Sequence, residues 1–155
     1  MGMDVYGKKP AAEVGEYFRA NVWGWRPLAE YVTEEFTEIA SGCEHWFTND
    51  GDGLNKRDSK TLAKLLQEAL ASGAAKRYVD SRNASIDEMA EVTCDTCGGV
   101  GRRAEPPETG PGDTNCNGCG GTGVRRPFES WYSLKVEDVE RFRAILEHCG
   151  GFEIW

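Results

Sequence analysis

The stretch that decides how this chain folds is C-D-T-C-G-G-V-G at 94–101, together with C-N-G-C-G-G-T-G at 116–123. Both copies fit the pattern C-x-x-C-x-G-x-G, and 18 residues separate the two cysteine pairs. Four thiolates in two close pairs can form a closed tetrahedral zinc site, in which the metal takes the place of a hydrophobic core. We therefore predict one structural zinc ion bound by Cys94, Cys97, Cys116 and Cys119.

The glycines after each cysteine pair fit a chain that turns tightly beneath a metal, because such turns need φ angles that a Cβ atom forbids. A redox-active C-x-x-C is the alternative for this spacing. Redox motifs lie at the start of a helix after a buried strand, whereas glycine pairs follow the cysteines here. The pattern favours structural zinc, and four protein ligands leave no coordination position for a catalytic water.

The composition is that of an ordinary soluble globular protein, with 39% hydrophobic and 28% charged residues in a chain of 155. The sequence contains no apolar run of about 18 residues and no apolar stretch of a signal peptide near its start. Six cysteines in such a chain indicate metal binding and free thiols, so we expect a cytoplasmic protein. Cys43 and Cys149 stand alone, and we expect each to be a small buried hydrophobic residue.

The net charge of −8 is unevenly distributed along the chain. Residues 94–127 carry four basic and four acidic side chains, whereas residues 1–93 carry 11 basic and 16 acidic ones. An acidic body disfavours sequence-independent binding to a phosphate backbone. The locally basic feature is a pair of arginines after each cysteine motif: Arg102, Arg103, Arg125 and Arg126.

Apolar spacing predicts several helices outside the cysteine motifs. One helix begins at Pro27 and ends near Gly42, a second is capped by Asp58 or Ser59 and ends before Gly73, and a third covers 136–149. We also expect helices around 12–22 and 74–81. The first ten residues are predicted to be irregular, 128–134 to be extended, and the F-E-I segment near the end to be a short strand.

The last helix needs apolar surface to cover, and the cysteine segment offers almost none. We therefore expect it to pack on the N-terminal helices. The predicted fold is α+β: a mainly helical body, 1–92 plus 127–155, with an inserted zinc-binding β-hairpin module at 93–126. The Pro- and Gly-rich segment between the two cysteine motifs has no periodicity and is predicted to be the hairpin tip.

The paired motifs at 94–101 and 116–123 resemble the cysteine-rich zinc-binding domain of the DnaJ co-chaperones. That domain has four such repeats and two zinc ions, so this chain resembles half of it, with room for one ion. The resemblance covers about thirty residues. The His-Pro-Asp tripeptide of a J-domain is absent from the sequence, so the resemblance implies no stimulation of a heat-shock chaperone. The remainder resembles uncharacterised small proteins of bacteria and their phages.

Several side chains of the module and its border are candidates for contact with a partner. The four arginines suit a phosphate, a nucleic acid or an acidic surface, or they balance nearby acidic residues on an exposed hairpin. Trp131 and Tyr132, with Trp155, are the preferred exposed aromatic residues, since Trp and Tyr are enriched at interfaces.

The N-D-G-D-G-L stretch at 49–54 is the most enzyme-like feature of the sequence. Asp50 and Asp52 alternate as in a calcium loop, but Asn55 and Thr61 stand where an EF-hand has glycine and glutamate. Two alternatives remain for Asn49, Asp50 and Asp52: an ion or anion site, or a tight turn. Cys43, His45 and Asp50 also form a conceivable thiol–imidazole–carboxylate set, although members of such sites normally come from distant segments.

We predict a non-enzymatic, zinc-stabilised protein-interaction module of a prokaryote or phage. The partner is expected to be another protein. The alternatives are a nucleic-acid-binding zinc protein and a small enzyme or ligand binder that uses the 49–54 loop.

Overall fold

The computed structural model describes residues 2–155. The chain divides into two compact units. One comprises the residues up to Ala84 together with Tyr132–Trp155, and the other comprises Ser85–Trp131. The α+β class predicted from the sequence is confirmed.

The first unit contains a three-stranded antiparallel sheet in the order β2-β1-β7. Its strands are β1 (Gly2–Gly7), β2 (Tyr17–Asn21) and β7 (Phe152–Ile154). Val5 pairs with Phe18 on one side and with Ile154 on the other, and all three are buried. Successive side chains point to opposite faces, so one face of the sheet covers the core and the other meets solvent.

Five α-helices lie within residues 2–155. They are α1 (Val22–Glu35), α2 (Thr37–Ala40), α3 (Lys56–Ala71), α4 (Ala74–Asp87) and α5 (Val136–His148). Helices α3 and α5 pack against each other through their apolar stripes, as predicted from their spacing. Leu62 and Leu66 of α3 and Phe142 and Ile145 of α5 are at most 1% exposed.

Aromatic side chains form the centre of this unit. Trp25 packs edge-on against Phe142 at 5.6 Å between ring centroids, and Trp46 lies 5.7 Å from Phe152. Both indole nitrogens find backbone acceptors: Trp25 donates to the carbonyl of Trp46 at 2.6 Å, and Trp46 donates to that of Ala40 at 2.9 Å. The buried tryptophans therefore leave no indole N–H unpaired, which is what permits such large polar-tipped side chains in a core.

Four local predictions about the N-terminal half are wrong. The first residues form β1 rather than an irregular lead-in, and 12–22 contains a 3-10 turn at Glu13–Gly15 followed by β2. Helix α1 begins at Val22, five residues before Pro27, because the Asn21 side chain accepts a hydrogen bond from the Gly24 N–H at 2.9 Å and caps it. Helix α3 is capped in the same way by Asn55, not by Asp58 or Ser59.

Three further expectations about element boundaries are wrong. The helix predicted to end near Gly42 ends at Glu35, because Phe36 leaves the helical conformation, and Thr37–Ala40 form the separate helix α2. Helix α4 continues to Asp87, beyond the predicted end at 81. The segment predicted to be extended at 128–134 begins as a 3-10 helix at Phe128–Trp131, in which the Ser130 hydroxyl donates to the Pro127 carbonyl at 2.7 Å. Ser and Pro favour such turns through local hydrogen bonding and a fixed φ, and this local signal outweighs the β-propensity of the aromatic residues.

The second unit has four short strands in two antiparallel pairs. The outer pair joins β3 (Val92–Thr93) to β6 (Val124–Arg125), and the inner pair joins β4 (Arg102–Arg103) to β5 (Thr114–Asn115). The two cysteine motifs interrupt this hairpin between its outer and inner pairs. A separate small cluster of buried cysteines, not an apolar core, lies at its centre.

Candidate metal centre

The four motif cysteines bring their sulfur atoms together. All four Sγ atoms lie within 4.8 Å of one another. Cys94 Sγ is 3.8 Å from Cys116 Sγ, and Cys97 Sγ is 3.8 Å from Cys119 Sγ. Zinc–sulfur bonds of about 2.3 Å in a tetrahedron require sulfurs about 3.8 Å apart. Both distances are far beyond the S–S bond of about 2.0 Å in a disulfide. The set can therefore hold one metal ion.

The centre is closed to solvent on most sides. Cys94, Cys97 and Cys116 have no exposed surface, and Cys119 is partly exposed. Buried thiols packed against one another without a metal would carry a desolvation cost with little return, because a thiol is a weak hydrogen-bonding group. The arrangement is typical of a site that is completed by a metal ion.

The two cysteine motifs are nearly equivalent in their backbone hydrogen bonds. The Gly99 N–H donates to the Cys94 carbonyl at 3.2 Å, and the Gly121 N–H donates to the Cys116 carbonyl at 3.1 Å. Each motif therefore closes the same turn around its pair of sulfurs. The repeated sequence produces a pseudo-twofold site in which each half supplies two ligands.

The last glycine of each motif permits the two halves to meet. A Cβ atom on Gly101 would lie 2.3 Å from the carbonyl oxygen of Gly121, and one on Gly123 would lie 2.1 Å from that of Gly99. Both glycines also have positive φ angles, 77° and 83°. A side chain at either position would be strained and would push the two motifs apart, so the ligand geometry depends on these glycines.

Backbone amides stabilise negative charge on the Cys119 sulfur, whereas burial raises the pKa of the Cys116 thiol to about 11. Burial raises the pKa of the Cys119 thiol, but the N–H groups of Gly123 and Gly121 outweigh it and lower that pKa to about 6. The Gly123 nitrogen lies 3.2 Å from Cys119 Sγ. Because the thiolate is the form that binds a metal, this hydrogen bonding favours metal binding at neutral pH.

The arginines of the inner strand pair contact groups of their own unit. Arg102 donates to the carbonyl of Asp113. Arg103 donates to the Asn117 side chain at 2.8 Å and to the Glu108 carbonyl at 3.1 Å. Both side chains thus tie the hairpin tip to β4, as a structural role requires.

Arg125 of β6 and the following residue, Arg126, make ion pairs. Arg125 lies 3.0 Å from the Asp95 carboxylate, and Arg126 lies 3.3 Å from that of Asp87. Arg126 also donates to the Ile86 carbonyl at 3.2 Å. These contacts fit the interpretation in which the arginines balance nearby acidic residues. Contact with a phosphate or nucleic acid stays a prediction.

The two aromatic candidates at the border differ in exposure. Trp131 is 63% exposed, whereas Tyr132 is only 8% exposed, so the expectation of an exposed Tyr132 is wrong. The Tyr132 ring lies 5.1 Å from the Trp23 ring, and the Arg26 guanidinium lies 5.3 Å from its centroid on the ring face. These contacts bury the ring because aromatic and cation–π packing both favour removing it from water.

The N-D-G-D-G-L loop forms part of the sheet. The Gly51 N–H donates to the Ile154 carbonyl at 2.9 Å, and the Phe152 N–H donates to the Leu54 carbonyl at 2.9 Å. Residues 51–54 therefore add an irregular edge beside β7. This pairing was not predictable from the local composition, because the partner strand is a hundred residues away in the sequence.

The two aspartates of this loop have different surroundings. Asp52 accepts backbone hydrogen bonds from Glu44 and from His45. Asp50 accepts from the Thr48 hydroxyl, and its carboxylate is 3.8 Å from His45 Nδ1. Asn49 donates to the Gly2 carbonyl at 3.4 Å. Asp52 therefore fastens two chain segments, and an ion or anion site at Asn49, Asp50 and Asp52 stays a prediction.

Cys43 and Cys149 are buried, as the sequence predicts, at 4% and 0% exposed. Burial, with the nearby Asp52 carboxylate, raises the pKa of the Cys43 thiol to about 12. A nucleophilic cysteine needs the opposite shift, because the thiolate is the reactive form. Cys43 therefore has the environment of a structural thiol.

The second unit exposes apolar side chains that were not predicted from the sequence. Val100, inside the first cysteine motif, is 59% exposed, and Phe128 is 51% exposed. The three-residue spacing of Phe128 and Trp131 in F-E-S-W could have indicated that Phe128 is exposed beside Trp131, because residues three apart lie on one side of a 3-10 turn.

Comparison of the chain with protein-family models, with curated protein sequences and with solved structures found no match. None of the helices in residues 2–155 has the length and apolar character needed to cross a membrane.

Proposed function

We propose that this chain is a non-enzymatic interaction protein whose Ser85–Trp131 unit is held together by one structural zinc ion. The observation that carries the proposal is the cluster of four cysteine sulfurs within 4.8 Å, three of them on fully buried residues. Four thiolates complete a tetrahedral shell, so the metal has no open position for a substrate or an activated water. The ion would act as a fastener.

Zinc is the metal that suits this donor set. It has no redox chemistry and no geometric preference of its own, and four thiolates in a tetrahedron are its usual structural shell. The resemblance of both C-x-x-C-x-G-x-G motifs to half of the DnaJ cysteine-rich domain supports the same choice. The free, buried thiols Cys43 and Cys149 fit the reducing cytoplasm of a bacterium or a phage-infected cell.

Exposed apolar side chains on the zinc unit support a protein partner. Val100, Phe128 and Trp131 are each more than half exposed, in a unit of fewer than fifty residues. Phe128 and Trp131 stand on the same side of one 3-10 turn. Exposed tryptophan on a rigid element is a common anchor of protein interfaces, and this pair is the contact surface in our proposal.

The charges of the unit favour a protein over a nucleic acid. Its four arginines contact acidic side chains or carbonyls of the same unit. The whole chain carries −8, and four thiolates with one zinc ion would add further negative charge. Phosphate recognition needs a surplus of positive charge, whereas residues 94–127 carry four basic and four acidic side chains, so the charge balance supports a protein partner.

The test is affinity capture from bacterial cells, followed by a binding measurement with the purified captured protein. Trp131→Ala should weaken binding by at least tenfold, as truncation of an interface anchor does. Cys116→Ser should abolish it by releasing the metal. Phe47→Ala, which removes an aromatic side chain of the first unit that is also more than half exposed, should leave binding unchanged. Equal binding by wild type and Trp131→Ala would show that the Phe128–Trp131 pair is not the contact surface. Binding of DNA or RNA at low salt would favour a nucleic acid over a protein as the partner.

A further inference from the structure

Strand β2 forms an open edge of the sheet in the first unit. The strand order β2-β1-β7 gives β2 a single neighbour, whereas the far side of β7 is paired with the 51–54 segment. An open edge presents backbone N–H and C=O groups to which another chain can add a strand.

The hydrogen-bond pattern of the sheet determines which residues of β2 face outward. Asp4 exchanges backbone hydrogen bonds with Trp155, at 2.7 Å and 2.8 Å, so its N–H and C=O point toward β7. Arg19 is opposite Asp4 on the other side, and therefore turns its own N–H and C=O away from β1. Tyr17, two residues earlier, does the same. Within residues 2–155, no group is hydrogen-bonded to the backbone N–H or C=O of Tyr17 or Arg19.

The two side chains at this edge are exposed and chemically complementary. The Tyr17 residue is 45% exposed, and the Arg19 side chain is 69% exposed. Both lie on the solvent face of the sheet, since residues two apart on a strand point to the same side. The Asp4 carboxylate lies 3.7 Å from the Arg19 guanidinium and accepts a hydrogen bond from the Tyr17 hydroxyl, which orients both side chains. A guanidinium and an aromatic ring attract each other when the cation meets the ring face.

We propose that two copies of this chain pair their β2 strands in antiparallel orientation, around a twofold axis beside Phe18, and so form one continuous sheet. The outward backbone groups belong to Tyr17 and Arg19, so these residues must supply the hydrogen-bonded pairs. With Phe18 opposite itself, Tyr17 pairs with Arg19 of the second copy, and the twofold axis repeats this pair.

The neighbouring registers are less favourable. A shift in one direction places Arg19 opposite Arg19 of the second copy, and like charges directly opposite each other are destabilising. A shift in the other direction places Arg19 opposite Gly15, which lies in the 3-10 turn before the strand. The sequence of β2 is therefore self-complementary in one register, which is the reason for assigning the edge to a second copy.

The expected dimer is weak. It gains about four backbone hydrogen bonds, two for each pair of Tyr17 with Arg19. A strand of five residues buries less surface than a standard interface, so we expect a dissociation constant of about 10–300 µM. This inference goes beyond the proposed function, because it uses residues of the first unit and none of the Phe128–Trp131 surface.

The test is sedimentation velocity of the zinc-loaded protein at about 5, 50 and 500 µM, across which wild type should convert from monomer to dimer. Arg19→Pro should stay monomeric at the highest concentration. Proline removes an outward N–H that the sheet of a single chain does not use, and is tolerated at such edge positions. Trp131→Ala, which alters the zinc unit, should dimerise like wild type.

A pair of variants tests the register. Tyr17→Arg places two arginines opposite each other and should weaken dimerisation by about tenfold or more. Adding Arg19→Tyr to this variant exchanges the two residues and again places a ring opposite a cation, so the exchanged protein should regain most of the lost affinity. An exchanged protein as weak as Tyr17→Arg would contradict the register.

The proposal is overturned if wild type stays monomeric at about 500 µM, or if folded Arg19→Pro still dimerises. A dimer that is lost in Trp131→Ala would place the contact on the zinc unit and would also overturn it. If wild type is monomeric and Arg19→Pro loses a captured partner protein, the edge belongs to a strand of that partner. Circular dichroism and thermal melting establish that each variant is folded, and the Tyr17→Arg pair gives the answer if Arg19→Pro is not.

Discussion

Asp52 Oδ2 accepts a hydrogen bond from the backbone N–H of Glu44 at 2.6 Å, and so joins the segment after α2 to the sheet edge. The same oxygen accepts from the His45 N–H at 3.1 Å, and the other carboxylate oxygen accepts from Gly53. Burial raises the pKa of Asp52, but these three N–H groups outweigh it and lower that pKa below the ordinary value.

Asp52→Asn should therefore destabilise the protein by about 1 kcal/mol at pH 7, since it replaces a charged acceptor by a neutral one. Because the folded-state pKa is lowered, the contribution of the carboxylate is fully present at neutral pH. It is lost as the pH falls below about 4 and through the lowered pKa. Urea unfolding should then show a wild-type advantage at pH 7 that shrinks at pH 3. Asp50→Asn, at the exposed neighbouring aspartate, should change stability by less than about 0.5 kcal/mol. Equal effects of the two variants would contradict the distinction.

Metal analysis should find one zinc ion per chain. Replacement of zinc by cobalt should give the absorption bands of a tetrahedral thiolate site, since the four sulfurs are the only ligands the cluster requires. Cys116→Ser should lose the ion, and Cys149→Ser should keep it, because Cys149 belongs to the apolar core of the first unit. A metal-free wild-type chain with oxidised cysteines would overturn the zinc assignment.

Two glycine variants distinguish the effect of backbone strain from the effect of a steric clash between the two cysteine motifs. Gly120 and Gly123 both have positive φ, 62° and 83°. A Cβ atom on Gly120 would have nothing within 4 Å, whereas one on Gly123 would clash with the Gly99 carbonyl. Gly120→Ala should introduce about 1 kcal/mol of backbone strain. The loss of zinc affinity caused by Gly123→Ala should be at least tenfold larger than the loss caused by Gly120→Ala. Competition with a chromogenic chelator measures both affinities. Equal losses would mean that the close approach does not determine ligand geometry.

An ion pair between α1 and α4 should contribute to the stability of the first unit. Arg82 lies 2.6 Å from the Glu30 carboxylate, and its side chain is 19% exposed. It also donates to the Tyr132 carbonyl at 3.1 Å. Arg82→Ala should destabilise the protein by about 1–2 kcal/mol, because it leaves the Tyr132 carbonyl without this donor and leaves the partly buried Glu30 carboxylate with Arg26 alone, at 3.0 Å. Lys76→Ala, at an exposed pair with Asp80 on the same helix, should cost less than about 0.5 kcal/mol. Chemical denaturation compares the two.

Cys43 should resist alkylation in the folded protein. With its pKa raised to about 12, the thiolate fraction is about a thousandfold below that of an ordinary cysteine. Mass spectrometry after brief iodoacetamide treatment at pH 8 should find Cys43 unmodified, and the same treatment in denaturant should label it. The raised pKa also means that stability is present below the unfolded-state value, near 9, and declines as the pH rises from there towards 12. Rapid labelling of native Cys43 would contradict its burial.

The sequence was informative wherever the signal was local. The spacing of Cys94, Cys97, Cys116 and Cys119 is itself the metal site, because short turns bring each pair together. The stripes of α3 and α5 likewise follow from a period of 3.6 residues. The starts of α1 and α3 were predicted wrongly, because Asn21 and Asn55 cap these helices a few residues before the predicted starts at Pro27 and at Asp58 or Ser59.

The missed features depend on distant partners. Strand β1 has only Met3 and Val5 as buried apolar residues, and its identity depends on β2 and β7 beside it. The 51–54 segment resembles a ligand loop in isolation, and only its pairing with β7 shows it to be a sheet edge. Tyr132 is apolar and aromatic like Trp131, and the ring of Trp23 and the guanidinium of Arg26 decide which of the two is buried.

Strand β7 (Phe152–Ile154) lies between β1 and the 51–54 segment, so it joins these two parts of the sheet. The ribosome synthesises β7 almost 150 residues after β1. While synthesis proceeds, Val5 has Phe18 beside it on one side but no neighbour on the other. The sheet of the first unit therefore cannot be completed until β7 has been synthesised. The strand pairs and the cysteine cluster of the zinc unit, by contrast, lie within residues 92–125, so none of them needs a residue of α5 or β7 in order to form.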